Sequence, residues 1–254
     1  MPGFNFDPSV YVGLLVLQVL YLRAIGGRKL DWRRILFFEA GLVTVWFGLE
    51  SPLDRLGDDY LLSAHMVQHM LLVAYAPPLL LLGLGPDMAA RIRSLPLLGA
   101  LLEPVPAMVL FFAGILLWHV PFMFDATFSN ASMHVAEHLT FIGIGVLYWW
   151  SAIGLTSDQN RWRLGVGGRI IYVSVGSIPM MLIALALQFS RVVFYSAYAH
   201  VPQLLPGFTP VLDQSVAGAI MFTMDMAVIA VDVGVTGYGW LNHEVGRDLR
   251  ATGG

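Results

Sequence analysis

An all-α, polytopic membrane bundle of about seven transmembrane helices is predicted by three features of this chain. Of its 254 residues, 57% are hydrophobic and only 12% are charged, where a soluble domain carries about 25% charged residues. The mean hydropathy is +0.71. Apolar runs close to the roughly 20 residues needed to cross a bilayer recur along the whole chain, separated by short charged connections.

The apolar runs fall at 9–24, 34–51, 60–83, 104–123, 132–155, 168–189 and 211–235. The first is the shortest. The segment before it, MPGFNFDPSV, lacks the basic region and small-residue cleavage site of a secretory signal, so this run is expected to stay as a helix. The main connections are GGRKLDWRR at 26–34, SPLDRLGDD at 51–59, GPDMAARIRSLP at 85–96 and TSDQNRWRLGVGG at 156–168. None is long enough for a soluble domain, so 1–254 is expected to be a single transmembrane domain. Twelve of the 14 Lys and Arg residues fall in the 1–2, 3–4 and 5–6 connections and the tail, leaving only Arg55 and Arg191 on the other side. Basic loops stay in the cytoplasm. The expected topology therefore has the N-terminus outside and the C-terminus cytoplasmic.

On that map the histidines gather at one level. His65 and His69 open the third run, His119 closes the fourth, and His134 and His138 open the fifth. Each pair is spaced i, i+4, which puts both rings on one helix face. At 1.5 Å per residue the paired rings should lie roughly 5–15 Å below the outer helix ends. Imidazoles in a membrane span are costly without a metal, a partner or water. The two readings are a metal site and a set of interhelical hydrogen bonds. Only His200, in an outer loop, and His243, in the tail, lie apart from these five.

With no cysteine in the chain, thiolate and iron–sulfur chemistry is excluded, and a metal would need His, Met, carboxylate or backbone donors. Met66 and Met70 flank the first histidine pair and Met133 precedes the second. Thioether with imidazole suits copper, Cu(I) in particular, although methionine is also an ordinary gap-filler. Glu137 completes an H-x-x-E-H pattern, His134 to His138, known from zinc proteases. Its preferred role is to orient a ligating imidazole. Asp125 and Asp213 lie at the same outer level, to join the site or to cap a helix, with capping favoured for Asp213. Glu39 and Asp225 are deeper, for structural hydrogen bonds or a proton path. Pro77-Pro78 should kink the third helix just inward of the histidines, and Tyr148-Trp149-Trp150 reads as an interfacial anchor.

Four segments, SAHMVQHMLLVAYAPPLLLLG at 63–83, WHVPFMFDATFSN at 118–130, MHVAEHLTFIGIGVLYWW at 133–150 and VLDQSVAGAIM at 211–221, together resemble the polytopic CtaG-like family of cytochrome c oxidase assembly factors, found alongside caa-type oxidases. The resemblance implies a bacterial plasma-membrane protein that helps mature the copper-containing oxidase at a copper-insertion step. It carries over onto His65, His69, His119, Asp125, His134, His138, Asp213 and Gln214. Expected partners are the bilayer, oxidase subunits and a copper chaperone, with no nucleic acid. Two alternatives stay open: a seven-span zinc hydrolase using three histidines and a carboxylate base, and a haem-binding electron carrier with axial histidines.

Overall fold

The structure, a computed structural model, describes residues 3–26, 31–155, 164–202, 204 and 206–252, with side chains given as far as residue 242. Among these residues there is no strand, and each of the seven apolar stretches is helical. Four helices are long and apolar enough to cross a membrane, or up to six if each of two bent pairs is one span. Arg28, Lys29, Arg161 and Arg163, which carry part of the charge asymmetry, lie outside the described residues, as does the side chain of His243.

Helix α1 (Pro8–Ile25) starts where the Asp7 carboxylate accepts from the Ser9 amide at 2.8 Å, with Pro8 as its first residue. It stands at the edge of the bundle. Its one buried residue is Tyr21, which stacks on Phe38 and donates to the Gly83 carbonyl. Helix α2 (Trp32–Glu50) bends by 42° into the short α3 (Pro52–Asp59). The third apolar stretch is α4 (Leu62–Met70), a π-helical turn (Leu71–Tyr75) and α5 (Ala76–Leu82).

The π turn has a cause in the sequence. Pro77 and Pro78 have no N–H to give to the carbonyls of Val73 and Ala74, so α-helical pairing cannot run through this point and the turn widens. The Val73 carbonyl is instead packed against α10 (Ala131–Ile153). There a Cβ on Gly145 would come within 2.6 Å of it, and only glycine allows that approach.

Two short helices, α6 (Pro86–Arg93) and α7 (Pro96–Leu101), lead to α8 (Pro104–Trp118). The expected run 104–123 is not one helix. Pro121 disfavours helical backbone in the residue before it, so the chain turns by 69° after Trp118 and continues as α9 (Pro121–Ser129). His119 sits in that turn. Helix α10 is capped by Asn130, which accepts from the Ser132 and Met133 amides, and ends at Gly154 with φ 77°.

Helix α10 is not among the spans that qualify by composition, because His134, Glu137 and His138 lower its hydropathy. It is packed on α8, the π turn and α5. That burial also corrects the anchor reading of its aromatic run: Tyr148, Trp149 and Trp150 are all buried in the core, where Tyr148 donates to the Val173 carbonyl. Helices α11 (Val166–Gly176) and α12 (Ile178–Phe189) make one stretch long and apolar enough to cross a membrane, with a break at Ser177, before Pro179. A single turn of 3₁₀ helix (Ser196–Tyr198) precedes α13 (Pro210–Thr252). At 1.5 Å per residue α13 is about 65 Å long. It passes beyond the expected 211–235 and carries the tail as continuous helix.

Candidate metal centre

The i, i+4 spacing does locally what the sequence predicts. On α4 the rings of His65 and His69 stand 4.1 Å apart between centroids, and on α10 those of His134 and His138 stand 4.3 Å apart. The two pairs face each other, with 5.9 Å from His65 to His134 and 5.8 Å from His69 to His138. His119 reaches the same place from the turn after α8, its ring 6.3 Å from that of His69. All five histidines of the sequence reading are therefore in one cluster. His200 is exposed and takes no part in it.

Two carboxylates complete the arrangement. Asp58 Oδ1 lies 3.5 Å from His65 Nδ1 and 3.6 Å from His134 Nε2. Glu137 Oε2 lies 3.7 Å from His69 Nε2. Glu137 thus faces the opposite helix, beside the His69 ring, with its oxygens among the possible donor atoms. Three sets of residues place their donor atoms within 4.8 Å of one another: Asp58–His65–His134, His65–His69–Glu137 and His134–Glu137–His138.

Burial makes this cluster chemically unusual. His65 and Glu137 are 0% exposed. Both ring nitrogens of His65 and of His69, the Nε2 atoms of His119, His134 and His138, both Glu137 oxygens and Asp58 Oδ1 are buried without a hydrogen-bond partner. An orphaned buried polar group costs about 1–3 kcal/mol, so this many in one place fits a ligand that takes lone pairs. His119 is also oriented for that purpose. Its Nδ1 is 2.8 Å from the Ile115 carbonyl, which fixes that nitrogen as the donor and leaves Nε2 with a free lone pair. Imidazole nitrogen and carboxylate oxygen together are donors for copper or zinc.

The surrounding structure holds these donors in place. Asp213 does cap a helix, but across the bundle: it accepts from the Leu62 and Ser63 amides at 2.6 and 3.1 Å and so fixes the start of α4 from α13. Asp125 accepts from Ser196 and from the Ala197 amide and pins the 3₁₀ turn. That turn places Tyr198 beside His65, with its hydroxyl donating to the Gly57 carbonyl, and Tyr195 donates to the His119 carbonyl. Gln214 accepts from the Phe194 amide and donates to the Val192 carbonyl, steadying the same loop. A Cβ on Gly57 would lie 3.0 Å from the His65 Cα, so glycine there lets α3 lie against α4 and brings Asp58 over the rings. Met66 and Met70 belong to the apolar core, and Met133 packs at its margin. Deeper in the bundle, Glu39 accepts from Gln18 at 2.8 Å, and Asp225 keeps one oxygen unpartnered.

A cleft of about 440 Å³ leads to the cluster, lined by Asp58, Asp59, Thr127, Phe128 and His134 among others. Asp58 and His134 are 31% and 21% exposed at their side chains, while the other donors are buried. Asp58 is the candidate donor that sequence reasoning missed. Its signal was weak: one of three aspartates in a charged connection, seven residues before His65. The chain breaks helix at Tyr60 and Leu61, so the register alone did not place it.

Comparison with known proteins gives two kinds of match. The profile of the family described as cytochrome c oxidase caa3 assembly factor matches residues 13–243. An uncharacterized protein of Mycobacterium bovis and one of Mycobacterium tuberculosis are each 28% identical over 193 residues. The match covers 66% of this chain but only 28% of each relative. No solved structure matches the chain.

Proposed function

Because the chain belongs to the cytochrome c oxidase caa3 assembly factor family, we propose that it matures the oxidase by binding copper in the histidine cavity and passing it to an oxidase subunit. In this reading the bundle crosses the bacterial plasma membrane seven times, with its N-terminus outside and its C-terminus in the cytoplasm. The cavity then opens on the extracytoplasmic side. Helix α10 counts as a span because its polar residues turn inward: Glu137 and His138 are buried, while Val135 and Leu139 are exposed.

One observation carries the proposal. Unpartnered ring nitrogens of five histidines, from α4, α10 and the turn after α8, converge at one buried place. Imidazole suits copper and zinc alike, and a copper-containing oxidase as client supports copper. The chain's residues divide the work by depth. The buried rings hold the ion and exclude water, and the half-exposed Asp58 and His134 exchange it with a copper chaperone or the oxidase at the cleft. Such a carrier needs no catalytic step of its own. A zinc hydrolase is the second reading, favoured by the unpartnered Glu137 carboxylate among histidines.

Metal analysis and genetics test this together. The purified chain should bind copper, and a strain lacking it should assemble oxidase deficient in copper under copper limitation. The wild-type gene should restore the oxidase, and one with His65, His69, His134 and His138 all changed to Asn should not. Fully metallated oxidase in the deletion strain would contradict the assembly role. Stoichiometric zinc with hydrolytic activity would replace it with the second reading.

A further inference from the structure

We propose that the cavity is a two-ion site, in which the α4 pair His65 and His69 and the α10 pair His134 and His138 each chelate one copper ion, with Glu137 bridging them. The inference rests on the copper reading above and deepens it. Seven donor residues meet here, and a single copper or zinc ion takes about four.

The donors are grouped by helix. Rings stand 4.1 and 4.3 Å apart within a helix but 5.8 and 5.9 Å apart across the gap. The sets His65–His69–Glu137 and His134–Glu137–His138 each bring their donor atoms within 4.8 Å, and they share Glu137 alone. Both Glu137 oxygens are unpartnered, so one is available to each ion. At the mouth of the cavity Asp58 Oδ1 touches one ring of each pair, His65 at 3.5 Å and His134 at 3.6 Å, so this carboxylate spans the two positions from the cleft side. The positions are unequal. His119 stands by His69 with its Nε2 unpartnered, so the α4 ion gains a third imidazole that the α10 ion lacks.

The test counts ions. The full chain in detergent is loaded anaerobically with Cu(I), freed of excess by gel filtration and analysed by atomic emission. Two coppers per chain are expected for the wild type, and one for each double variant, H65N/H69N and H134N/H138N. X-ray absorption should find a copper–copper vector on the order of 3.5–4 Å in the wild type, absent from both variants. The ion that each variant retains shows that the variant has folded. One copper per wild-type chain overturns the two-ion assignment while leaving copper binding in place. A double variant with unchanged circular dichroism and no copper overturns it too. A wild type that binds no copper defeats the underlying reading as well.

Discussion

Two polar places lie along the same helices, and they differ in what their polar groups face. At one end α4 and α10 line the histidine cavity, with α13 capping α4 through Asp213. Toward the other end α5, α10 and α13 line a crevice of about 500 Å³, walled by Phe37, Tyr75, Trp149 and Val228 and containing Asp232 and Arg169. Both regions hold carboxylates. In the cavity, unpartnered donor atoms from separate segments point at one another. In the crevice Asp232 shares apolar walls with a single cation, Arg169, and the unpartnered oxygen of Asp225 lies elsewhere on α13. A buried charge alone does not make a site. What sets the cavity apart is the convergence of donors from different helices.

The largest effect should come from breaking that convergence. Changing all four paired histidines to Asn should abolish copper binding, whereas Asp225→Asn with Asp232→Asn should leave it unchanged. Equal losses in equilibrium dialysis would erase the distinction between the two regions.

Next is the joint between them. Gly145→Val puts side-chain atoms where the Val73 carbonyl and Pro77 already sit, and should cost about 3 kcal/mol by overpacking. A thermal melt in detergent with an unshifted midpoint would contradict this account of the π turn.

Smaller again is Asp213→Ala, which leaves the Leu62 and Ser63 amides without their acceptor. It should cost about 1–2 kcal/mol and weaken copper binding by letting the start of α4 fray, although Asp213 supplies no donor to the cavity. Retained affinity beside a lowered melting midpoint would separate scaffold from site. The mildest change is His119→Gln, which removes one of three imidazoles from the α4 ion alone and should lower that ion's affinity while the number of ions bound stays the same.

How much of this was legible follows from the range of each interaction. The i, i+4 pairs are local, so their shared faces could be read from spacing, and a common depth followed from span counting. His119 was placed at the correct level, but as a helix end. It sits in a turn because Pro121 stops α8 early. Asp58, Tyr198 and the cross-bundle cap by Asp213 depend on contacts 7, 133 and about 150 residues away in the chain, and no periodicity encodes those. The aromatic run of α10 misled for a related reason. An interfacial belt and a core packed by neighbouring helices use the same residues, and only the packing of α10 against α8 and α5 distinguishes them.

The central claim is that imidazoles from two helices ligate copper. Electron spin-echo envelope modulation on the chain loaded with well under one equivalent of Cu(II), so that neighbouring ions do not couple their spins, tests it most directly. The account predicts modulation from the remote nitrogens of more than one imidazole per copper, lost when the four paired histidines are replaced. Copper without that modulation, or with modulation that survives the replacement, would contradict it.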